Sequence, residues 1–346
     1  MLPVPAVVVK ASPFNLSRQS VSLQILVIQT AFTGDVILGT SLIESLHRQF
    51  PEASIDFLLR KGNESLLTEH PHIRKTLVWD KKQHKFKNLF GLIRQVRKQK
   101  YDLLVNCQRF FTSGLIAALS GAREVSGFKK NPLSIFFDHR LPHEIGTDST
   151  LHEIDRNHRL IEHFVPGPAV KPKLYPTDTS WAKTRQTTPY ICIAPTSVWH
   201  TKQWPAEKWI ALIHRLPKDL KVFLLGAPSD QAACAEIGAA CPVHHVQNMA
   251  GNLSLLDSAA LMAGAQMNYV NDSAPAHLAS AMNAPVSVFF CSTIPAFGFG
   301  PLSGNSHIIQ TSEKLACRPC GLHGHKACPQ GHFKCADIDI GSLRNF

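Results

Sequence analysis

The chain has 346 residues, 44% of them hydrophobic and 18% charged, which is typical of a globular protein and excludes a disordered one. Its formal net charge of +11 suits an acidic partner (a phosphorylated substrate, nucleic acid or anionic membrane) or only a solvated basic surface. No apolar stretch approaches the roughly 18 residues that span a bilayer. Residues 1–22 lack the order of a secretion signal, so we expect a loose tail on a cytoplasmic protein.

An alternation of strands and helices begins after this tail. Ile25 to Ile28 form a short apolar run, and the apolar residues from Val36 to Leu46 then recur at helical spacing. The pattern continues with a strand at Ser54 to Leu59, a helix at Leu89 to Val96 and a strand at Tyr101 to Val105. Such alternation predicts a parallel sheet that is covered on both faces.

A segment rich in Pro, Thr and Lys then interrupts the pattern, and we predict a linker at residues 171–189. A second series follows, with strands at 190–194, 221–225, 266–270 and 286–290 and helices at 204–215, 231–240, 255–263 and 277–282. The sequence therefore predicts an α/β protein of two Rossmann-like domains, residues 23–170 and 190–346, with a ligand-binding cleft between them.

The turn after the first strand carries a carboxylate at the start of a helix. Gly34 allows a tight backbone, and Asp35 follows it. A role as a helix cap would by itself explain Asp35, since Asp is favoured at the start of a helix. The turn has neither the G-x-G-x-x-G dinucleotide fingerprint nor a Walker phosphate loop.

Two turns of the second half are also polar. The first holds Thr196, Ser197 and Lys202, which could cradle a diphosphate or belong to a solvated loop. The other holds Asp272, Ser273 and His277. The first two could have no role beyond capping a helix, and a lone histidine is more often a buried core residue than a ligand-binding one. Taken together, the three turns supply a base for an acceptor hydroxyl and donors for a departing diphosphate.

These residues lie in motifs that resemble the heptosyltransferase family of bacterial lipopolysaccharide core assembly, glycosyltransferase family 9. The resemblance runs from about Leu23 to Asp339 and includes, in order, ILVIQTAFTGDVILGTSLIESLHRQFP, IAPTSVWHTKQWPAEKWIALI, LLGAPSDQ, MAGNLSLLDSAALMAGA and NDSAPAHLASAMNAPV. It implies the GT-B fold, in which two Rossmann-like domains face each other across a cleft. It also implies an inverting, metal-independent transfer of heptose from ADP-heptose, with no cofactor, to the lipopolysaccharide core.

By the same resemblance, Asp35 is the general base. Thr196, Ser197 and Lys202 hold the donor diphosphate, so the predicted catalytic machinery spans both halves of the chain.

The remaining donor-site residues also follow from the resemblance. Asp230 is expected at the nucleotide ribose and Leu253 over the adenine. Asp272 is expected at the donor sugar, Ser273 near the phosphate and His277 in support of their loop.

Basic residues are dense in the first half, at Arg60, Lys61, Lys82 and Lys85. The acceptor that the resemblance implies, phosphorylated lipid A with acidic sugars, is anionic and membrane-held. We therefore predict acceptor binding here and a peripheral association with the cytoplasmic face of the inner membrane. The alternative is a solvated loop.

Nine cysteines are present, and Cys317, Cys320, Cys328 and Cys335 lie close together near the carboxyl terminus. Their spacing allows a structural zinc site, a loop of reduced thiols, or a redox or disulfide role.

Three other functions compete with the main hypothesis. A GT-B enzyme could use another nucleotide sugar or another cell-envelope acceptor. A basic nucleic-acid-binding protein would need a recognisable module, which the sequence lacks. A donor-binding scaffold without activity would have no use for Asp35 at its expected place.

Overall fold

The computed structural model of the protein describes residues 22–82, 85–147, 151–339 and 341. Nearly all of the predicted tail at residues 1–22 therefore lies outside the described residues. Within these ranges, no helix is long and apolar enough to cross a bilayer. The described chain forms two parallel six-stranded sheets, one after the other, with helices between the strands.

The first sheet has the order β3-β2-β1-β4-β5-β6. Its strands are β1 Gln24–Ile28, β2 Ser54–Arg60, β3 Lys75–Trp79, β4 Leu103–Asn106, β5 Glu124–Phe128 and β6 His139–Leu141. Its helices are α1 Thr33–Gln49, α2 Lys85–Gln99, α3 Phe111–Ala118 and α4 Glu153–His158. The predicted strands β1, β2 and β4 are confirmed, whereas the sequence prediction missed β3, β5 and β6.

The second sheet has the order β12-β11-β10-β7-β8-β9, which is the order of the first sheet when counted from its own first strand. Its strands are β7 Tyr190–Ala194, β8 Lys221–Leu224, β9 Val246–Asn248, β10 Met267–Asn271, β11 Val286–Phe290 and β12 Ser306–Gln310. Between them lie α6 Ala206–His214, α7 Gln231–Ala239, α8 Leu255–Ala263 and α9 Ala274–Ala281. All four predicted strands of this half are confirmed.

The predicted linker at 171–189 contains a helix, α5 Asp178–Thr184, which packs against α8. The chain around its first residue, from Val170 to Lys173, is fastened to α1 instead. The Ser41 hydroxyl donates to the Val170 carbonyl at 2.6 Å, and Thr40 Oγ1 accepts from the Lys173 N–H at 3.0 Å. The segment therefore joins the two halves through contacts with both.

One continuous apolar cluster crosses from the first half to the second. It includes buried residues of α1, such as Ile37 and Leu42, and buried residues of α9, such as Leu278. Helix α1 packs against both α4 and α9. This packing holds the carboxyl ends of β1 and β2 opposite those of β7, β10 and β11, where the predicted site residues lie.

Candidate active site between the two sheets

A cavity of about 260 Å³ lies where the two sheets face each other. The first half contributes residues 32–35, at the start of α1, together with Arg60 at the end of β2. The second half contributes the loop after β7, the start of α9 and residues 294–299. The structure thus brings the three predicted turns to one cavity.

Asp35 lies in the first turn of α1 and lines this cavity. Its Oδ2 atom accepts from the Phe32 N–H at 3.1 Å, so the carboxylate also fulfils the capping role that its position allows. Burial, assisted by the negative charge of Glu153, raises the pKa of Asp35 to about 6. A carboxylate with this pKa is ionised at neutral pH and is a stronger base than an ordinary one.

The opposite wall holds a buried network around Asp272. Lys202 Nζ lies 2.7 Å from Asp272 Oδ2, and the Thr293 hydroxyl donates to the same oxygen at 2.6 Å. The Asn271 side-chain oxygen accepts from the Trp204 N–H at 2.9 Å and ties the loop of Lys202 to β10. The ammonium group is therefore held in the cavity by an ion pair that a bound anion could replace.

His277 lies one turn into α9 and joins the two walls. A Cβ atom at Gly34 would come within 2.7 Å of His277 Cδ2, so only glycine allows α1 to approach this closely. Burial lowers the pKa of His277 to about 4, which leaves the imidazole neutral at pH 7. This geometry suits the supporting role predicted for His277.

Not every predicted donor residue lines the cavity. Ser197 and Ser273 line it, as do the Lys202, Asp272 and His277 already described, whereas Thr196, Asp230 and Leu253 lie outside its wall. Asp230 Oδ2 accepts from the Ala227 N–H at 2.8 Å at the start of α7, and Leu253 packs half-buried against the central apolar cluster.

The predicted acceptor residues lie beside the cavity on the first half. The Arg60 guanidinium stacks 4.8 Å from the Phe32 ring centre and also lines a second cavity with Lys61 and Lys82. Lys61 Nζ forms an ion pair with Asp80 at 2.8 Å. Lys85 begins α2, and its side chain lies outside the described residues.

The sequence prediction missed Leu322 and His323, which come from the cysteine-rich segment and line the main cavity. Several hydrogen bonds hold this segment in place, among them those that the Arg318 guanidinium donates to the carbonyls of Cys291 and Thr293. Cys320 N–H donates to the Ser292 carbonyl at 2.9 Å, and His325 exchanges bonds with Thr201 at 2.8 and 3.1 Å. The segment is therefore part of the cavity wall, which its local sequence does not signal.

The four cysteines of this segment have free thiols. Across the described residues, no group of three or more His, Cys, Asp or Glu side chains is arranged to hold a metal ion. The structure therefore does not support the predicted zinc alternative.

Comparison with known proteins gives a consistent set of similarities. A model of glycosyltransferase family 9 (heptosyltransferase) matches residues 89–327. Lipopolysaccharide heptosyltransferase 3 of Escherichia coli is 31% identical over 79% of this chain and 85% of that protein.

Solved structures show the same fold. The E. coli ADP-heptose lps heptosyltransferase II has a TM-score of 0.71 and 22% identity, over 86% of this chain and 96% of that one. The E. coli heptosyltransferase WaaC with ADP-2-deoxy-2-fluoro heptose has a TM-score of 0.67 and 18% identity, over 83% and 92%. The predicted GT-B architecture is confirmed.

Proposed function

We propose that this chain, which belongs to glycosyltransferase family 9 and is a glycosyltransferase, transfers heptose to the inner core of lipopolysaccharide. The proposed donor is ADP-L-glycero-D-manno-heptose, and the acceptor is Kdo-lipid A or a heptosylated core. The observation that carries this proposal is the single cavity in which Asp35 and the pair of Lys202 and Asp272 occupy facing walls.

In the proposed reaction, Asp35 accepts the proton of the acceptor hydroxyl. The hydroxyl oxygen forms a bond to the anomeric carbon of heptose from the face opposite the nucleotide. The bond from this carbon to the diphosphate oxygen breaks, ADP leaves with the electron pair, and the configuration inverts. Asp35, with its pKa raised to about 6, is suited to this proton transfer near neutral pH.

The second half is proposed to bind the donor. When the donor binds, the negative diphosphate draws the Lys202 ammonium away from Asp272. The ammonium then stabilises the negative charge that develops on the diphosphate as ADP departs. Asp272 keeps its bond from Thr293 and becomes free to accept from a hydroxyl of the sugar. Ser197, Ser273 and Thr196 would supply further donors.

The nucleotide is proposed to extend past the cavity to Asp230 and Leu253. Their two turns are neighbours, since the Gly251 N–H donates to the Gly226 carbonyl at 3.0 Å. This adjacency supports roles at the ribose and the adenine for the two side chains.

The acceptor is proposed to enter over the basic side of the first half, with the enzyme at the cytoplasmic face of the inner membrane. Arg60 supports this route, because it lines both the main cavity and the basic cavity beside it. An anionic, lipid-linked acceptor would meet the positive charges before it reaches Asp35.

The test is nucleotide release from ADP-heptose compared with UDP- and GDP-sugars, each offered with a set of truncated lipopolysaccharide acceptors. We expect turnover with ADP-heptose and one acceptor of this set. Turnover with a UDP- or GDP-sugar alone would favour a GT-B transferase of different specificity. No turnover with any pair would refute the proposed function.

A further inference from the structure

The positive charge of the protein is concentrated in one segment. Residues 81–137 contain twelve Lys or Arg and two acidic residues, so this segment carries ten of the eleven net positive charges. The two acids, Asp102 and Glu124, lie at the amino ends of β4 and β5. Asp102 Oδ2 accepts from the Gln24 N–H at 2.9 Å, at the amino end of β1. These two acidic groups therefore lie at the opposite edge of the sheet from the carboxyl ends of β3, β4 and β5.

The same edge of the sheet exposes large apolar side chains. Thirteen such side chains are exposed in the described part of the chain, and six of them lie in the loops or the first two helical turns that directly follow β3, β4 or β5. These six are between 54% and 69% exposed, although large apolar side chains are normally buried. They are Phe86, Phe90, Phe110, Phe111, Ile135 and Phe136.

The three loops form one surface. Helices α2 and α3 pack against each other and both begin at this edge, so Phe86 and Phe90 lie on the first turns of one helix and Phe111 begins the other. Asn131 Nδ2 donates to the carbonyl of Phe110 at 3.0 Å, which fixes the third loop beside the second. We call these six side chains, with exposed Lys82, Lys87, Lys129 and Lys130, the apolar-basic face.

We propose that the apolar-basic face docks the protein on an anionic lipid bilayer. The six apolar side chains enter the headgroup region, and the lysines lie at the level of the lipid phosphates. Phe and Ile side chains can bury themselves at the boundary between headgroups and acyl chains, and lysine stems can lie along it while their ammonium groups stay in water. This inference deepens the proposed function and rests on its membrane-held acceptor.

Charge argues for a bilayer rather than a second copy of the chain. Two copies of this face would oppose lysine to lysine, which is unfavourable, whereas anionic lipids attract each lysine. Two acids flank the segment that carries the face: Asp80 forms an ion pair with Lys61, and Asp138 Oδ2 accepts from the Val125 N–H at 2.8 Å.

The face also continues into the site. Lys82 lies on the apolar-basic face and lines the second cavity with Arg60, which in turn lines the main cavity with Asp35. A lipid-linked acceptor could therefore pass from the bilayer to Asp35 along one surface.

The test is sedimentation of the full-length protein with vesicles of phosphatidylglycerol and phosphatidylethanolamine, compared with neutral phosphatidylcholine vesicles. Two double variants remove apolar bulk from the face, Phe86→Ser with Phe90→Ser, and Ile135→Ser with Phe136→Ser. The matched control, Val243→Ser with Ile308→Ser, removes two exposed apolar side chains of the second half. We expect each face variant to bind anionic vesicles at least tenfold more weakly and the control to bind as the wild type.

A second measurement reports insertion directly. Tryptophan fluorescence of Phe136→Trp should increase relative to the wild-type background on binding and be quenched by brominated lipid. Face variants that bind as the wild type would overturn the proposal in favour of charge alone. Absence of wild-type binding, or loss of a dimer in the face variants, would overturn it as well. Turnover with a water-soluble, deacylated acceptor distinguishes a failure of membrane docking from a failure of the proposed function. This turnover does not need the bilayer, so it should be the same in the wild type and in all variants.

Discussion

The carboxyl edges of the two sheets differ although the sheets share one strand order. At the second sheet the polar side chains are already paired, as Lys202 is with Asp272 and Asn271 is with Trp204. At the first sheet, Asp35 has a raised pKa and lines the cavity together with Arg60 and the exposed ring of Phe32. The same strand order thus carries two different walls, one of paired polar side chains, where we propose that the donor binds, and one with a carboxylate beside basic residues, where we propose that the acceptor binds.

The largest effect should come from the carboxylate of the first wall. We expect Asp35→Asn to lower turnover by about 100-fold or more, the usual contribution of a general base, while ADP-heptose affinity changes little. Asp257→Asn is the matched control, since Asp257 occupies the same helix position in α8 and lies outside the cavity wall. Full turnover by Asp35→Asn in steady-state assays would remove Asp35 as the base.

A smaller effect should come from the second wall. Lys202→Met removes the ammonium and leaves buried Asp272 with only its hydroxyl partner. We expect donor affinity, measured by calorimetry, to fall by about 10- to 100-fold, as for one lost charge-assisted hydrogen bond. Lys218→Met, an exposed lysine of the same half, should leave donor affinity unchanged. Equal affinity in both variants would contradict the diphosphate role.

The smallest effect concerns stability and has opposite signs for two carboxylates. The pKa of Asp35 is raised to about 6 by burial, so its ionisation destabilises the fold above that pH, and Asp35→Asn should stabilise the protein at pH 8. Burial alone would raise the pKa of Asp257, but the ion pair with Lys183 lowers it to about 2. Asp257→Asn should therefore destabilise the protein.

Each change should be on the order of 1 kcal/mol, since partial solvent exposure weakens such interactions. The gain of Asp35→Asn should vanish below about pH 4, where the carboxyl group is protonated in both states. Urea unfolding at pH 8 and pH 4 measures both signs, and a loss of stability for Asp35→Asn at pH 8 would contradict the buried carboxylate.

Much of the fold could be predicted, because the central strands are continuous apolar runs. Strand β7 and strand β11 are buried at every position and were found from the sequence. Strands β3, β9 and β12 are edge strands in which exposed and half-buried residues predominate, so their apolar signal is weak.

The candidate site was predictable only where a motif marks it. Asp35, Lys202 and Asp272 follow strands within recognisable turns, and the structure brings them to one cavity. His323 reaches the same cavity from far along the chain, because Thr201 fastens its neighbour His325. No local pattern encodes such a contact, and the exposure of Phe86 or Ile135 is likewise a property of packing that composition does not reveal.

The apolar cluster shared by α1 and α9 has a consequence for how the molecule comes apart. Fragments cut at the segment between the halves would each expose apolar side chains to water, Ile37 and Leu42 of α1 in one fragment and Leu278 of α9 in the other, so neither should persist as a monomer. Heating should accordingly melt the entire polypeptide in a single calorimetric peak, and two well-separated peaks would show that the lobes are independent.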